Sequence, residues 1–204
     1  QVWTQGVEGI LYPELVNSDV LVSNGRGIWS PAIAEHILAF ILAHFRSLAE
    51  YFRFQRDKRW IQKDVPLRRL FGKTVCFLGT GDIAQHTVQL LQGFCCRILG
   101  VNRHGNCPAG FHEVVRRDRM LSILPQADII VCALPFTEET RHFVDSSAFL
   151  VMKKTAFFVN VGRGKTVDET ALISALQDGR IAGAGLDVLE TEPPEKENPL
   201  WGMP

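Results

Sequence analysis

Residues 74–84 read Thr-Val-Cys-Phe-Leu-Gly-Thr-Gly-Asp-Ile-Ala. A β-rich apolar run, Thr74–Leu78, passes directly into Gly79-Thr80-Gly81-Asp82-Ile83-Ala84, which opens a helix-length segment. The first glycine permits the tight turn, and the second lets the backbone approach a pyrophosphate. The N–H groups that begin the helix then face the phosphates. Ala84 takes the third position, where only close helix–strand contact requires a small residue. Alone, GxGxxA is a weak signal; between a strand and a helix it predicts a dinucleotide-binding βαβ unit. Gly79, Gly81, Asp82 and Ile83 are its candidate cofactor-binding residues.

Outward from this loop the chain alternates. Further β-rich runs stand at 97–102, 128–133, 156–161 and 181–188, separated by helix-length segments at 82–93, 119–124, 139–152 and 168–178. The strand runs are almost continuously apolar, as expected where helices cover both faces of a parallel sheet. The pattern predicts an α/β fold, a Rossmann-type doubly wound parallel sheet. Before it, Ser30 is a plausible N-cap with Pro31 at the first helical position. Ile33, Ile37, Ile41 and Phe45 follow at four-residue spacing, forming one apolar stripe. Val20–Ser23 is a short β-like run. Between Arg53 and Arg69 lie seven basic residues against Asp57 and Asp64. Phe54 and Trp60 are the only aromatics there, too few to interleave as a base-stacking platform, so a solvated connector is favoured over a nucleic-acid patch.

A dinucleotide site usually places an acidic residue at the end of the second strand, about 20 residues after the glycines, to hold the ribose hydroxyls. Here that strand ends in Asn102-Arg103-His104. Asn102 does not repel a 2′-phosphate as aspartate would, and Arg103 can pair with one. The cofactor expected is NAD or NADP, with the balance toward NADP; the alternative has Arg103 in solvent and NAD bound through Asn102. Gly72-Lys73-Thr74 and Gly164-Lys165-Thr166 are not triphosphate loops, because Leu67 and Val159 stand where the leading glycine belongs.

Of 204 residues, 46% are hydrophobic and 22% charged, an ordinary globular composition that excludes disorder and low complexity. Lys+Arg and Asp+Glu both number 22, so no global field draws nucleic acid or acidic membranes. Five cysteines without a CxxC pair argue against a disulfide framework or a zinc site. No apolar run reaches membrane-spanning length and no leader opens the chain, so a cytoplasmic location is expected, with no membrane or nucleic-acid partner.

Several segments together resemble the D-isomer-specific 2-hydroxyacid dehydrogenase family. They are Gly6-Val7-Glu8-Gly9, Ala34-Glu35-His36, Leu78–Ala84 and Leu134-Pro135-Phe136-Thr137-Glu138-Glu139-Thr140-Arg141. Val159–Gly164 with Val167-Asp168-Glu169, Gly185–Val188 and Glu192-Pro193 continue the series in the family's order and spacing. The resemblance implies that 66–204 is the dinucleotide-binding domain and 26–65 a hinge helix and connector. Residues 1–25 are then the end of a flavodoxin-like substrate domain. It adds Leu134, Pro135, Val161, Gly162 and Asp187 to the cofactor-binding candidates and puts Gly6, Val7 and Arg163 on the substrate. Arg163 and Glu192 become the catalytic candidates. A guanidinium fork after a strand end suits the carboxylate and carbonyl of a 2-oxo acid. The family's glutamate orients a catalytic histidine and favours its acid form; Glu190 competes with Glu192 for that role.

None of His36, His44, His86, His104, His112 and His142 has the family's Thr-Pro-His setting, so all are read as surface or packing residues. The catalytic histidine is expected beyond Pro204, and about a hundred residues of substrate domain before Gln1. The activity implied is hydride transfer between NAD(P)H and a 2-oxo acid or D-2-hydroxy acid, in a homodimer. The alternative is a dinucleotide-sensing protein similar to the family's corepressors; a formate-dehydrogenase-like member is disfavoured because that branch carries glutamine at the position of Glu192. Cys95 in place of glycine and Asn102 in place of an acid depart from the family pattern.

Overall fold

The computed structural model describes residues 1–3, 6–25, 27–61 and 65–203. Its helices are α1 (Pro13–Val16), α2 (Ser30–Phe45), α3 (Leu48–Arg56), α4 (Asp82–Leu91), α5 (Met120–Ile123), α6 (Ser146–Val151) and α7 (Glu169–Gln177). Its strands are β1 (Thr74–Leu78), β2 (Arg97–Asn102), β3 (Glu113–Arg116), β4 (Ile129–Cys132), β5 (Phe157–Asn160) and β6 (Gly183–Leu186). The strands form one sheet in the order β3-β2-β1-β4-β5-β6, every pairing parallel. This is the Rossmann order, with its switch point between β1 and β4, where a crevice opens beyond the strands' carboxyl ends.

Strand alternation builds two cores. Val75, Phe77, Ile98, Ile129, Val131, Phe157 and Val159 face α2 and α4. Cys76, Leu78, Leu99, Val101, Ile130, Cys132 and Phe158 face the opposite way, toward α5, α6 and α7. Ile37, Ile41 and Phe45 of α2 are buried in the first core, with Ile33 partly so. Each such side chain is worth about 1.5–3 kcal/mol on burial. The helix expected from a four-residue stripe therefore forms, and it covers the sheet. Among the described residues no single helix is long and apolar enough to cross a membrane.

Some local expectations are corrected. Ser30 is the first helical residue rather than the cap: Trp29 holds the cap position, and Ser30 Oγ is buried without a hydrogen-bond partner. No strand forms at Val20–Ser23; Leu21 is almost fully exposed, and Ser23 O accepts from Val2 N–H. The expected 139–152 helix is divided. A capping box between Thr137 and Thr140 closes a single 3-10 turn, Glu138–Thr140. Val144 then pairs with Val167, and Asp145 starts α6 by accepting from Ala148 N–H. The connector is partly helical, since α3 reaches Arg56; Lys63 and Asp64 lie outside the described residues.

Candidate functional site

The carboxyl ends of β1, β4, β5 and β6 open onto a cleft of about 660 Å³. One wall is the glycine loop. Gly79 has φ +94°, and a Cβ there would stand 3.0 Å from the Ala133 carbonyl oxygen, so only glycine lets the loops after β1 and β4 lie together. Gly81 caps α4 in an extended conformation, and no side chain caps the helix. The helix N-terminus thus keeps donors and a positive dipole end for an anion. Nothing lies within 4 Å of where a Gly81 Cβ would be, so the space above the loop is open. The site fits a dinucleotide cofactor: Gly81, Asp82 and Ile83 would hold the diphosphate, and Leu134, Pro135, Val161 and Gly162 line the cleft beyond.

At the end of β5, Asn160 is almost wholly buried. Its Oδ1 accepts from Gly162 N–H at 3.1 Å, and its Nδ2 donates to the Arg163 carbonyl at 3.3 Å. Thr166 Oγ1 donates to the same carbonyl at 2.6 Å. These bonds fix the backbone of Arg163, whose half-buried side chain lines the cleft and donates through Nη1 to Gly162 O at 2.8 Å. Gly164 packs so tightly on the loop after β6 that a Cβ would overlap the Leu189 carbonyl oxygen. Asp187, bonded through its N–H to Asn160 O, reaches the same cleft.

His36 Nε2 of α2 lies 3.5 Å from Asp187 Oδ1, both side chains 48% exposed. His36 was expected to be a surface or packing histidine, and it does sit edge-on to Phe40 at 4.4 Å. This contact with Asp187 joins distant segments, and no local spacing signals it. Gly6 and Val7 line the cleft, as do Asn24, Trp29 and Ile33, which sequence reasoning passed over. Asn24 lies in the Ser-Asn-Gly-Arg-Gly run that precedes α2, the only hint available beforehand.

Other candidates lie outside the cleft wall. Glu192 is exposed, and its Oε1 accepts from Leu189 N–H at 2.9 Å. Glu190 is engaged elsewhere, 2.8 Å from His142 Nε2. Asn102 and Arg103 sit at the β2 end, where Arg103 pairs with Glu139 at 2.8 Å. Burial pushes the Cys76 thiol up to about 12, with Glu113 adding to the effect, and burial also raises that of Cys132. Both are packing groups rather than nucleophiles. Among the described residues no cluster of His, Cys, Asp and Glu could hold a metal.

Residues 38–204 match the family described as D-isomer specific 2-hydroxyacid dehydrogenase, NAD binding domain. A glyoxylate reductase of Pyrococcus furiosus is 34% identical over 195 residues, covering 92% of this chain and 58% of the relative. A D-isomer specific 2-hydroxyacid dehydrogenase family protein from Aeromonas salmonicida superposes with a TM-score of 0.82 at 37% identity, over 94% of this chain and 62% of that one. An NADPH-dependent glyoxylate/hydroxypyruvate reductase from Sinorhizobium meliloti gives 0.85 at 27% identity, over 97% and 64%. The chain therefore spans about three-fifths of the relatives it matches.

Proposed function

The chain belongs to the D-isomer specific 2-hydroxyacid dehydrogenase family, and on that premise we propose that the whole protein reduces a 2-oxo acid to a D-2-hydroxy acid, reversibly, with NAD(P)H. The carrying observation is the convergence of Arg163, Asp187 and the uncapped α4 N-terminus on one cleft. When bound, the nicotinamide cofactor supplies the hydride. The Arg163 guanidinium holds the substrate carboxylate and carbonyl oxygen, and stabilises the negative charge that develops on that oxygen. Gly6 and Val7 offer backbone amides to the carboxylate. Asp187, steadied by His36, sits beside the nicotinamide position. Glu192 orients the histidine that protonates the alkoxide.

Glyoxylate and hydroxypyruvate are the substrates that the names of the relatives support, and NADP is favoured over NAD. Residues 1–25 are proposed as the end of the substrate domain, 26–65 as hinge and connector, and 66–204 as the dinucleotide-binding domain. Exposed Phe52, Trp60, Leu67 and Phe71 support a homodimer. Five free thiols support a cytoplasmic location, and the charge balance supports leaving nucleic acid and membranes out of the partner set.

The test is turnover by the full-length protein with glyoxylate, hydroxypyruvate and pyruvate, followed through NADH and NADPH absorbance. Arg163→Lys, which keeps charge but loses the planar fork, is expected to cut turnover about a hundred- to a thousand-fold. Intact dinucleotide binding with no oxidation of either cofactor across a broad 2-oxo acid panel would sink the enzyme reading and leave the dinucleotide-sensing one.

A further inference from the structure

At the β2 end of the sheet, three charged side chains from three different connections meet. Arg103 follows β2, Arg117 opens the 3-10 turn after β3, and Glu139 lies in the 3-10 turn after β4. A single carboxylate oxygen, Glu139 Oε2, accepts from Arg103 Nη2 at 2.8 Å and from Arg117 Nη1 at 2.6 Å. All three side chains remain about half exposed, so an incoming ligand can reach them. The trio carries one unbalanced positive charge.

The neighbouring Asn102 is saturated. Its Oδ1 accepts from the N–H groups of His104 and Gly105, and its Nδ2 donates to Thr80 Oγ1 and Asn106 O. An asparagine side chain has two donor hydrogens and two acceptor lone pairs, and all are used. Asn102 therefore orders its loop, tying the residue before Arg103 to the glycine loop at 2.9 Å, and leaves nothing with which to read ribose hydroxyls. The trio beside it stands on the adenosine side of the switch point, opposite Arg163 and Asp187.

We propose that Arg103 and Arg117 together form the site for the 2′-phosphate of NADP, and that Glu139 is a built-in competitor whose carboxylate occupies both guanidinium groups until the phosphate displaces it. This rests on the dinucleotide-binding reading above. A phosphate monoester brings a charge of about −1.5 to −2 and three acceptor oxygens, enough to give each guanidinium its own partner. A single carboxylate makes the two arginines share one oxygen. Glu139 thereby sets the margin by which NADP is preferred, because its removal frees the arginines without touching the groups shared by both cofactors.

The experiment is calorimetric titration of the full-length protein with adenosine 2′,5′-bisphosphate and with 5′-AMP, which differ only in the 2′-phosphate, and then with NADPH and NADH. Glu139→Gln is expected to tighten the bisphosphate and NADPH about fivefold or more, with 5′-AMP and NADH changed less than about twofold. Arg117→Ala is expected to weaken the bisphosphate and NADPH about tenfold, again sparing 5′-AMP and NADH. Weaker or unchanged bisphosphate binding by Glu139→Gln overturns the competitor role, and an equal loss for both ligands in Arg117→Ala overturns the phosphate site. If the parent protein binds neither NADH nor NADPH, the dinucleotide reading fails as well; if it binds them and the variants do not discriminate, only this proposal fails.

Discussion

Gly81 and Gly164 stand at opposite limits of what an added methyl group would meet. Beside Gly81 there is open space; beside Gly164 there is the Leu189 backbone. Gly81→Ala is expected to cost under about 1 kcal/mol of stability, the scale of a cap change, while weakening dinucleotide binding at least about tenfold by blocking the approach of a diphosphate. Gly164→Ala is expected to cost about 3 kcal/mol or more, because backbone must move. Denaturant unfolding and cofactor titration on both variants check the pair; a Gly81→Ala protein that binds normally defeats the loop assignment. His44 illustrates a different property. Its ring stacks on Phe157 at 4.1 Å, and burial, with the Arg68 charge adding, lowers its pKa from 6.5 to about 4. Only the unfolded chain takes up this proton between those values. The stability His44 contributes is therefore complete above pH 6.5 and falls as pH drops toward 4. Allowing for its partial exposure, the loss is about 1–2 kcal/mol. His44→Phe should flatten that part of the melting temperature–pH curve, and an unchanged slope would refute the assignment.

The elements most legible beforehand were those with a buried stripe or an apolar run. β1 and β2 begin and end where their runs do, and α7 follows its Asp168 cap. The edge strand β3 was missed because Glu113-Val114-Val115-Arg116 offers only two apolar residues, half-buried at the sheet's border. The 139–152 segment misled because its helical composition hides a pairing of Val144 with Val167, and only Asp145 followed by serines marked the true start of α6. The site divides the same way. Its glycines, Arg163 and Asp187 carry local signatures, whereas the His36–Asp187 contact comes from the packing of α2 on the sheet and the Arg103–Glu139–Arg117 contacts from strand order. The amino end of the sheet also has its own fastener. Asp128 accepts from Thr74 N–H at 3.0 Å and from Lys153 Nζ at 2.9 Å, and its backbone bonds to Thr74 and Phe157. Burial alone would raise this carboxyl, but the Thr74 and Lys153 bonds outweigh it and hold it below the usual range. Asp128→Ala should destabilise by about 1–3 kcal/mol, with cofactor affinity unchanged; a normal unfolding midpoint would show that the fastener is idle.

At the scale of the whole molecule, the apolar residues on and after α3 face water in the isolated chain. Phe52 is 65% exposed and Trp60 85%. If they seat a second copy, Phe52→Asp with Trp60→Asp should halve the mass of the full-length protein in light scattering, while the parent runs as a dimer. A monomeric parent removes the proposal. The all-parallel sheet has one more consequence. Because every strand points the same way, Asp128 and the glycine loop occupy opposite poles of one slab. Variation at Asp128 is felt as melting temperature, and variation at the exposed Arg103, Arg117 and Glu139 as ligand choice, whereas the tightly packed Gly164 at their pole answers for stability. A lineage can therefore exchange cofactor preference at the far rim without first accumulating spare stability, and a screen for robustness can confine its library to the near one.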